Sequence, residues 1–319
     1  MALTFIRGLH NLPPEPGSVV ATIGTFDGIH RGHQAIMAQV KERSSHYGLP
    51  GMAMIFEPHP REFFSREQAP ARLMRLREKV EAIRDEGIEQ IFCLQFNRSL
   101  RSMTARDFIE QVLVRGVGLR CLIVGDDFRF GCDRTGTTAM LEEAGREFGF
   151  EVVDTATVQH QGRRISSTWV REELEAGNFA LAEALLGRRF SISGRVVHGQ
   201  QLGRTLDVPT ANVNLKRHRA PLSGVYIVAA VVAGQYLPAV ANVGLRPTVG
   251  DLVKPILEVH ILDWQGDIYG SQIRVEFLAK LREEMRFSGI DELLTWIHKD
   301  IQVAKAYFAR KGPELSRAQ

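Results

Sequence analysis

Residues 19–33 read Val19-Val20-Ala21-Thr22-Ile23-Gly24-Thr25-Phe26-Asp27-Gly28-Ile29-His30-Arg31-Gly32-His33, and this stretch decides the fold of the first half of the chain. VVATIG has the apolar character of a strand, a glycine-punctuated turn follows, and a helical pattern starts after Gly32. Working outward, strand-like runs recur as GMAMIF at 51–56, QIFCLQ at 90–95, CLIVG at 121–125 and EVVD at 151–154. Helical stretches fill the gaps, including Arg75 to Glu86 and Thr104 to Arg115, the latter opening with the T-x-x-D spacing of a helix cap. This alternation predicts an α/β fold with a doubly wound parallel sheet, in which ligands sit beyond the carboxyl ends of the strands.

After Gly187 the pattern changes to strand signals separated by turns: FSISGRVVHG, GVYIVAAVVAGQYLPAVANVG, PILEVHILDWQGDIYG and SQIRVEFLAKL. One amphipathic helix follows, from Asp291 to Ala309. The expectation is an antiparallel β-barrel closed by a terminal helix, with a sandwich as the alternative packing. Two helical segments, Thr168–Ala176 and Phe179–Leu186, carry the chain across, so the expected domains are 1–186 and 187–312.

Composition fits this division. A chain of 319 residues is about two domains long by the usual ~150 residues each. Lys+Arg 40 against Asp+Glu 37 leaves +3, so no strong field draws in nucleic acid or an anionic membrane, and phosphate handling has to be local. Cys93, Cys121 and Cys132 lack CxxC spacing, which argues against a disulfide framework or structural zinc. The N-terminal residues lack a signal-peptide apolar core, and the longest apolar run, Val225 to Ala233, is too short to span a bilayer. A cytoplasmic protein is expected, with self-association weak if it occurs.

The turn at 24–33 carries the sharpest chemical signal. Free backbone N–H groups and the positive end of a helix favour an anion there, and Gly32 lets a ligand approach the backbone. His30 and His33, three residues apart, share one side of the first helical turn. This is the HxGH pattern of nucleotidyltransferases. No GxxxxGK[ST] is present, and Gly116-Val117-Gly118 has Cys121 where a dinucleotide fingerprint needs glycine. Three segments support a nucleotide site: Phe56-Glu57-Pro58-His59-Pro60 with Phe63 and Phe64, Val124-Gly125-Asp126-Asp127-Phe128-Arg129-Phe130-Gly131, and Arg164-Ile165-Ser166-Ser167-Thr168-Trp169-Val170-Arg171. They offer aromatic rings for a flat heterocycle, carboxylates beside glycines, and hydroxyls at a helix cap with a guanidinium one turn on. In the second half, Pro209-Thr210-Ala211-Asn212 supplies a hydroxyl and an amide oxygen after a loop containing Gly199 and Gly203, a workable Mg²⁺ and phosphate site. Glu258 by itself reads as an exposed strand carboxylate.

Taken together these motifs resemble the prokaryotic bifunctional riboflavin kinase/FMN adenylyltransferase (FAD synthetase) family. The resemblance runs over nearly the whole chain: GTFDGIHRGH, FEPHP, VGDDFRFG and RISSTWVR, then GRTLDVPTAN at 203–212, GVY at 224–226, NVGLRPTVG at 242–250, LEVHILDWQGDIYG at 257–270 and FLAKLREEMRF at 277–287. It implies riboflavin, FMN and ATP as substrates, Mg²⁺ as the metal, and FMN and FAD as products. It further implies that His30 and His33 act catalytically on the ATP phosphates, within a nucleotide site of Gly24, Thr25, Phe26, Asp27, Gly32, Asp127, Arg164, Ser167, Thr168 and Arg171. Pro58, Pro60, Phe64 and Phe130 are then flavin contacts. In the kinase half the resemblance assigns ATP to Gly199, Gly203, Thr210 and Asn212, metal to Thr210 and Asn212, and the base to Glu258. One departure is visible, Asp207 where the family has glycine. Arg246 and Arg282 are either ligand-loop contacts or solvated surface residues. A different nucleotidyltransferase with an accessory domain would leave PTAN and LEVHILDWQGDIYG unexplained, and a nucleotide sensor would bind without turnover.

Overall fold

The structure, a computed structural model, describes residues 3–199, 208–247 and 253–311. It comprises two compact units, residues 1–70 with 74–167, and residues 71–73 with 168–319. Gly203 and Asp207 lie outside the described residues, as does the side chain of Arg246.

In the first unit the chain runs β1 (Thr4–Arg7), β2 (Val19–Gly24), α1 (Arg31–Tyr47), β3 (Gly51–Glu57), α2 (Pro60–Phe64), α3 (Leu76–Asp85) and β4 (Gln90–Gln95). It continues through α4 (Arg98–Ser102), α5 (Ala105–Asp107), β5 (Leu119–Gly125), α6 (Thr138–Phe148), β6 (Glu151–Thr155) and the short pair β7 (Gln159–His160) and β8 (Arg163–Arg164). Six strands form one parallel sheet in the order β1-β4-β3-β2-β5-β6. The chain steps outward from β2 to β3 and β4, then returns to the other side of β2 for β5 and β6. The switch point therefore lies between β2 and β5, where a doubly wound sheet opens its ligand crevice.

The sheet is covered on both faces, which explains the uninterrupted apolar strands. Val19, Ala21 and Ile23 join Met52, Met54, Phe92 and Leu94 against Ile109, Val112, Leu141 and Ala144. Val20 joins Ala53, Ile55, Ile91, Cys93 and Ile123 against Met37 and Val40 of α1 and Ile83 of α3. Successive residues of one strand thus enter opposite cores, as the period of two demands.

Two local readings change. Thr104 caps as expected, accepting from Asp107 N at 3.1 Å, but the expected helix winds as a π-helix over Phe108–Val114. The edge strand β1, only four residues long, gave no signal above the surrounding loop.

The second unit contains α7 (Ser167–Ala176), whose first residue belongs to the first unit, and α8 (Phe179–Leu186). Then come β9 (Ser191–Val197), β10 (Ala211–Val213), β11 (Gly224–Val232), β12 (Gln235–Pro247), β13 (Val253–Ile261), β14 (Gln272–Arg282) and α9 (Ile290–Lys311). The strands close into an antiparallel barrel in the order β10-β13-β12-β11-β14-β9, so barrel rather than sandwich is the outcome. Closure removes sheet edges that would otherwise stay unpaired. The fully buried Tyr226 and Phe277 meet edge to face at 5.3 Å. Ala304 and Ile301 of α9 cover Val225, Ile227 and Val240 on the outside. Arg282, at the end of β14, is largely buried rather than solvated: its guanidinium grips Asp300 of α9 through Nε at 3.0 Å and Nη2 at 2.8 Å, and its Nη1 donates to the carbonyl of Glu283 at 3.2 Å. No helix among the described residues is long and apolar enough to cross a membrane.

Candidate active sites

In the first unit, β2 delivers the Gly24–His33 turn to the switch point. Phe26, Gly28 and Ile29 all have positive φ (44°, 92° and 41°). For Phe26 and Ile29 this left-handed backbone is costly, and full burial of both side chains holds it in place. The apolar side chains of Phe26 and Ile29 thereby anchor the turn in the core below it.

His30 is the N-cap of α1, a helix of 17 residues, and its Nδ1 accepts from His33 N at 3.4 Å. The two imidazoles stack with centroids 3.7 Å apart and 18° between planes, and Phe26 meets His33 edge-on at 5.2 Å. A Cβ at Gly32 would come within 3.2 Å of the His30 ring, so a side chain there would crowd the stack. The ring of Phe26 also lies against Gly24. The spacing of HxGH therefore yields a paired-imidazole surface at the positive end of a helix.

Asp27, expected as a nucleotide contact, is buried and organises the turn. Its Oδ1 accepts from Met74 N at 3.0 Å, and its carbonyl accepts from Ser167 Oγ at 2.8 Å. Ser167 is thus tied directly to the turn. Lys79 of α3, only 3% exposed, donates from Nζ to the carbonyl of Thr25. Sequence reading missed this lysine because a charge on a helix is ordinarily a solvated one; a cation buried under the turn strengthens its appeal to phosphate.

Arg164 and Asp127 are brought together as an ion pair. Arg164 Nη2 meets Asp127 Oδ1 at 2.8 Å, and Nη1 meets Asp126 Oδ1 at 3.0 Å. Thr157, whose hydroxyl donates to Asp126 at 2.6 Å, and then Arg164 hold the Asp126 carboxyl below the usual aspartate range. Thr168 and Arg171 fall in the second unit, where Arg171 Nε donates to Ala71 O at 2.6 Å, so the site described is that of the first unit alone.

Pro58 and Pro60 follow β3 at the same carboxyl edge. Phe64 is 60% exposed, edge-on to Phe63 and Phe96, with Arg101 over its ring at 5.0 Å. Phe130 differs: it is buried in the core beside Phe108 and stacked on Phe128 at 5.6 Å, leaving little ring surface outside.

In the second unit, Asn212 on β10 is the direct register partner of Glu258 on β13, and Glu258 is in turn the partner of Asn242 on β12. Directly opposed residues present side chains on one face about 5 Å apart. Leu257, Val259 and Ile261 are buried while Ile256, Glu258 and His260 are half-buried, so the row lies on the outside of the barrel. A Cβ at Gly199 would overlap the Asn212 amide, which brings Gly199 into the same group. Thr210 immediately precedes β10, two residues before Asn212.

Asn242 and Glu284 were not anticipated. The Glu284 carboxyl fills the space a Cβ on Gly244 would need, and burial raises its pKa. Asn242 becomes visible only when β12 is paired with β13. Among the described residues no group of three His, Cys, Asp or Glu could hold a metal. The Thr210 hydroxyl and the Asn212 amide are hard oxygen donors beside the Glu258 carboxylate and the Asn242 amide, and a Mg²⁺ held by a few protein oxygens with nucleotide phosphates suits such a set.

Comparison with known proteins gives two family matches, FAD synthetase over residues 12–169 and riboflavin kinase over residues 186–308. The bifunctional riboflavin kinase/FMN adenylyltransferase of Pseudomonas fluorescens is 52% identical over 307 residues, covering 96% of this chain and 98% of the relative. The protein of the same name from Escherichia coli K12 is 47% identical over 314 residues, 98% and 100% of the two chains. Among solved structures, a Streptococcus pneumoniae protein described as a macrolide-efflux protein superposes with a TM-score of 0.78 at 28% identity, covering 96% of this chain and 99% of that one.

Proposed function

The chain belongs to the bifunctional riboflavin kinase/FMN adenylyltransferase family, and from that premise we propose which of its residues carry each reaction. The C-terminal part phosphorylates riboflavin to FMN with ATP, and the N-terminal part adenylylates FMN to FAD with release of pyrophosphate. In the proposed division, residues 1–186 serve adenylyl transfer and residues 187–312 serve the kinase.

In adenylyl transfer an FMN phosphate oxygen attacks the α-phosphorus of ATP and pyrophosphate leaves, so charge grows on the transferred phosphorus and on the leaving group. His30, His33 and the N-terminus of α1 stabilise that charge. Gly24, Thr25, Phe26, Asp27 and Gly32 shape the backbone in front of the nucleotide, with Ser167 bonded to the turn. Arg164 reaches the ATP phosphates with its guanidinium, and Asp127 beside it is a polar member of the nucleotide site. Thr168 and Arg171 are assigned to the ATP phosphates by the family resemblance alone. The flavin ring is met by Pro58, Pro60 and Phe64, and Phe130 supports that surface from the core.

In the kinase, Glu258 takes the proton of the riboflavin 5′-hydroxyl as that oxygen attacks the γ-phosphorus of ATP, the bond to the β,γ-bridging oxygen breaks and ADP leaves. Thr210 and Asn212 would hold Mg²⁺, which when bound neutralises charge on the ATP phosphates. Gly199 and Gly203 let the loop approach the nucleotide. Partners are the small molecules riboflavin, FMN and ATP. A net charge of +3 gives no strong field to draw in nucleic acid or a membrane, any self-association is weak, and the cytoplasm is the proposed location.

The observation that supports this reading above the others is that Asn212 and Glu258 oppose each other in register. The test is purified protein with riboflavin, ATP and Mg²⁺, products separated by chromatography. FMN followed by FAD is expected. FMN alone would overturn the adenylyl-transfer assignments, FAD only from added FMN would overturn those of the kinase, and neither product would favour a nucleotide sensor.

A further inference from the structure

His260 lies two residues beyond Glu258 on β13, on the same outward face, and its Nδ1 is 2.9 Å from the carbonyl oxygen of Pro209. A carbonyl only accepts, so Nδ1 carries the proton and donates. The β10–β13 register pairs Ala211 with Val259 and Asn212 with Glu258, so the next pair along, just outside β10, is Thr210 with His260. Thr210 is beyond the ladder, and no β10–β13 register pair holds it. The imidazole bond to Pro209 continues the ladder by one side-chain hydrogen bond at the residue where ladder pairing stops.

We propose that His260 is a positioning residue of the kinase site: by holding Pro209 it fixes Thr210 in line with Asn212, and so sets the affinity for Mg²⁺-ATP. This rests on the reading of Thr210 as a Mg²⁺-ATP residue. His260 touches neither substrate; it acts through the PTAN segment. Loss of one such hydrogen bond, about 0.5–1.5 kcal/mol, corresponds to roughly two- to tenfold.

The test is a double-mutant cycle of His260→Ala and Thr210→Ala in the full chain, with FAD formation from added FMN as the control for folding. For His260→Ala the KM for Mg²⁺-ATP is expected to rise about fivefold while the KM for riboflavin stays within about twofold. His260→Gln, which can still donate, is expected to restore most of the affinity. In the Thr210→Ala background the His260→Ala effect is expected to vanish, because residues acting through one another are non-additive. Thr210→Ala without effect on Mg²⁺-ATP would defeat the Thr210 reading. Thr210→Ala with an effect, but additive with His260→Ala, would defeat the proposal alone. Equal rises in both KM values, or a changed acidic limb of kcat at constant KM, would likewise overturn it, the first indicating general loosening and the second an acid–base group.

Discussion

Asn212 and Glu258 face each other across the β10–β13 ladder, so an amide and a carboxylate 46 positions apart in the chain leave the barrel wall side by side. The pairing is rigid because it belongs to a closed barrel, and in the proposed mechanism it ties a phosphate-side group to a hydroxyl-side group. Glu258→Gln keeps the shape and removes the base. FMN formation is expected to fall by about 10²- to 10⁴-fold with FAD formation from added FMN unchanged, read by chromatography of each half-reaction.

Gly199 tests the same site from its other side. Gly199→Ala puts a methyl group where the Asn212 amide lies, so the amide has to move. Kinase kcat/KM is expected to drop at least about tenfold, with a compensating rise in Mg²⁺ requirement, while adenylyl transfer is retained. Unchanged kinase kinetics would remove Asn212 from the site.

For the N-terminal unit the question is whether His30 does chemistry or merely caps α1. The cap bond is long, 3.4 Å, and Asn is as good a cap as any residue. His30→Asn is therefore expected to shift stability by less than about 1 kcal/mol and still abolish FAD formation, with FMN formation spared. Retained FAD synthesis would reduce His30 to a cap.

The Arg282–Asp300 pair joins β14 to α9 with both side chains largely buried. Asp300→Ala strands a guanidinium, at a cost of about 3–5 kcal/mol. Thermal unfolding of the C-terminal unit is expected to move down by something on the order of 10 °C, measured by calorimetry. A surface role for Arg282 would give almost no shift.

Cys93 and Cys121 are buried in the parallel-sheet core, and desolvation pushes their thiols up to about 11 and about 12 from 9.0. Alkylation of the native protein at pH 8 is expected to label Cys132 alone, and all three after denaturation. The sign of the linkage follows. The unfolded chain loses these protons first, so the stability they contribute is complete below pH 9 and declines as pH rises toward 12. Denaturant titrations at pH 8 and pH 10.5 measure the difference.

What could be read in advance, and what could not, divides along contact range. The strand at 19–24, the turn at 24–33 and the T-x-x-D cap were legible because each depends on residues a few positions apart. The same holds for β13, whose alternation LEVHI puts Glu258 and His260 on one face before any partner is known. Phe130 entered as a flavin contact through the family resemblance, and nothing in its local sequence speaks of its burial. Its burial comes from Phe108 and from the bridge to Gly136, which no local pattern announces.

By itself, then, the sequence determined the two fold classes, the order of most elements and the anion-binding turn, since periodicity, glycine placement and helix termini are short-range physics. Only tertiary structure decided that the second half closes as a barrel, that Lys79 lies beneath Thr25, that Arg164 clasps Asp126 and Asp127, and that Asn212, Glu258 and Asn242 form one row. Those facts depend on strand register and on which charges lose their water, and both are fixed only when distant segments pack.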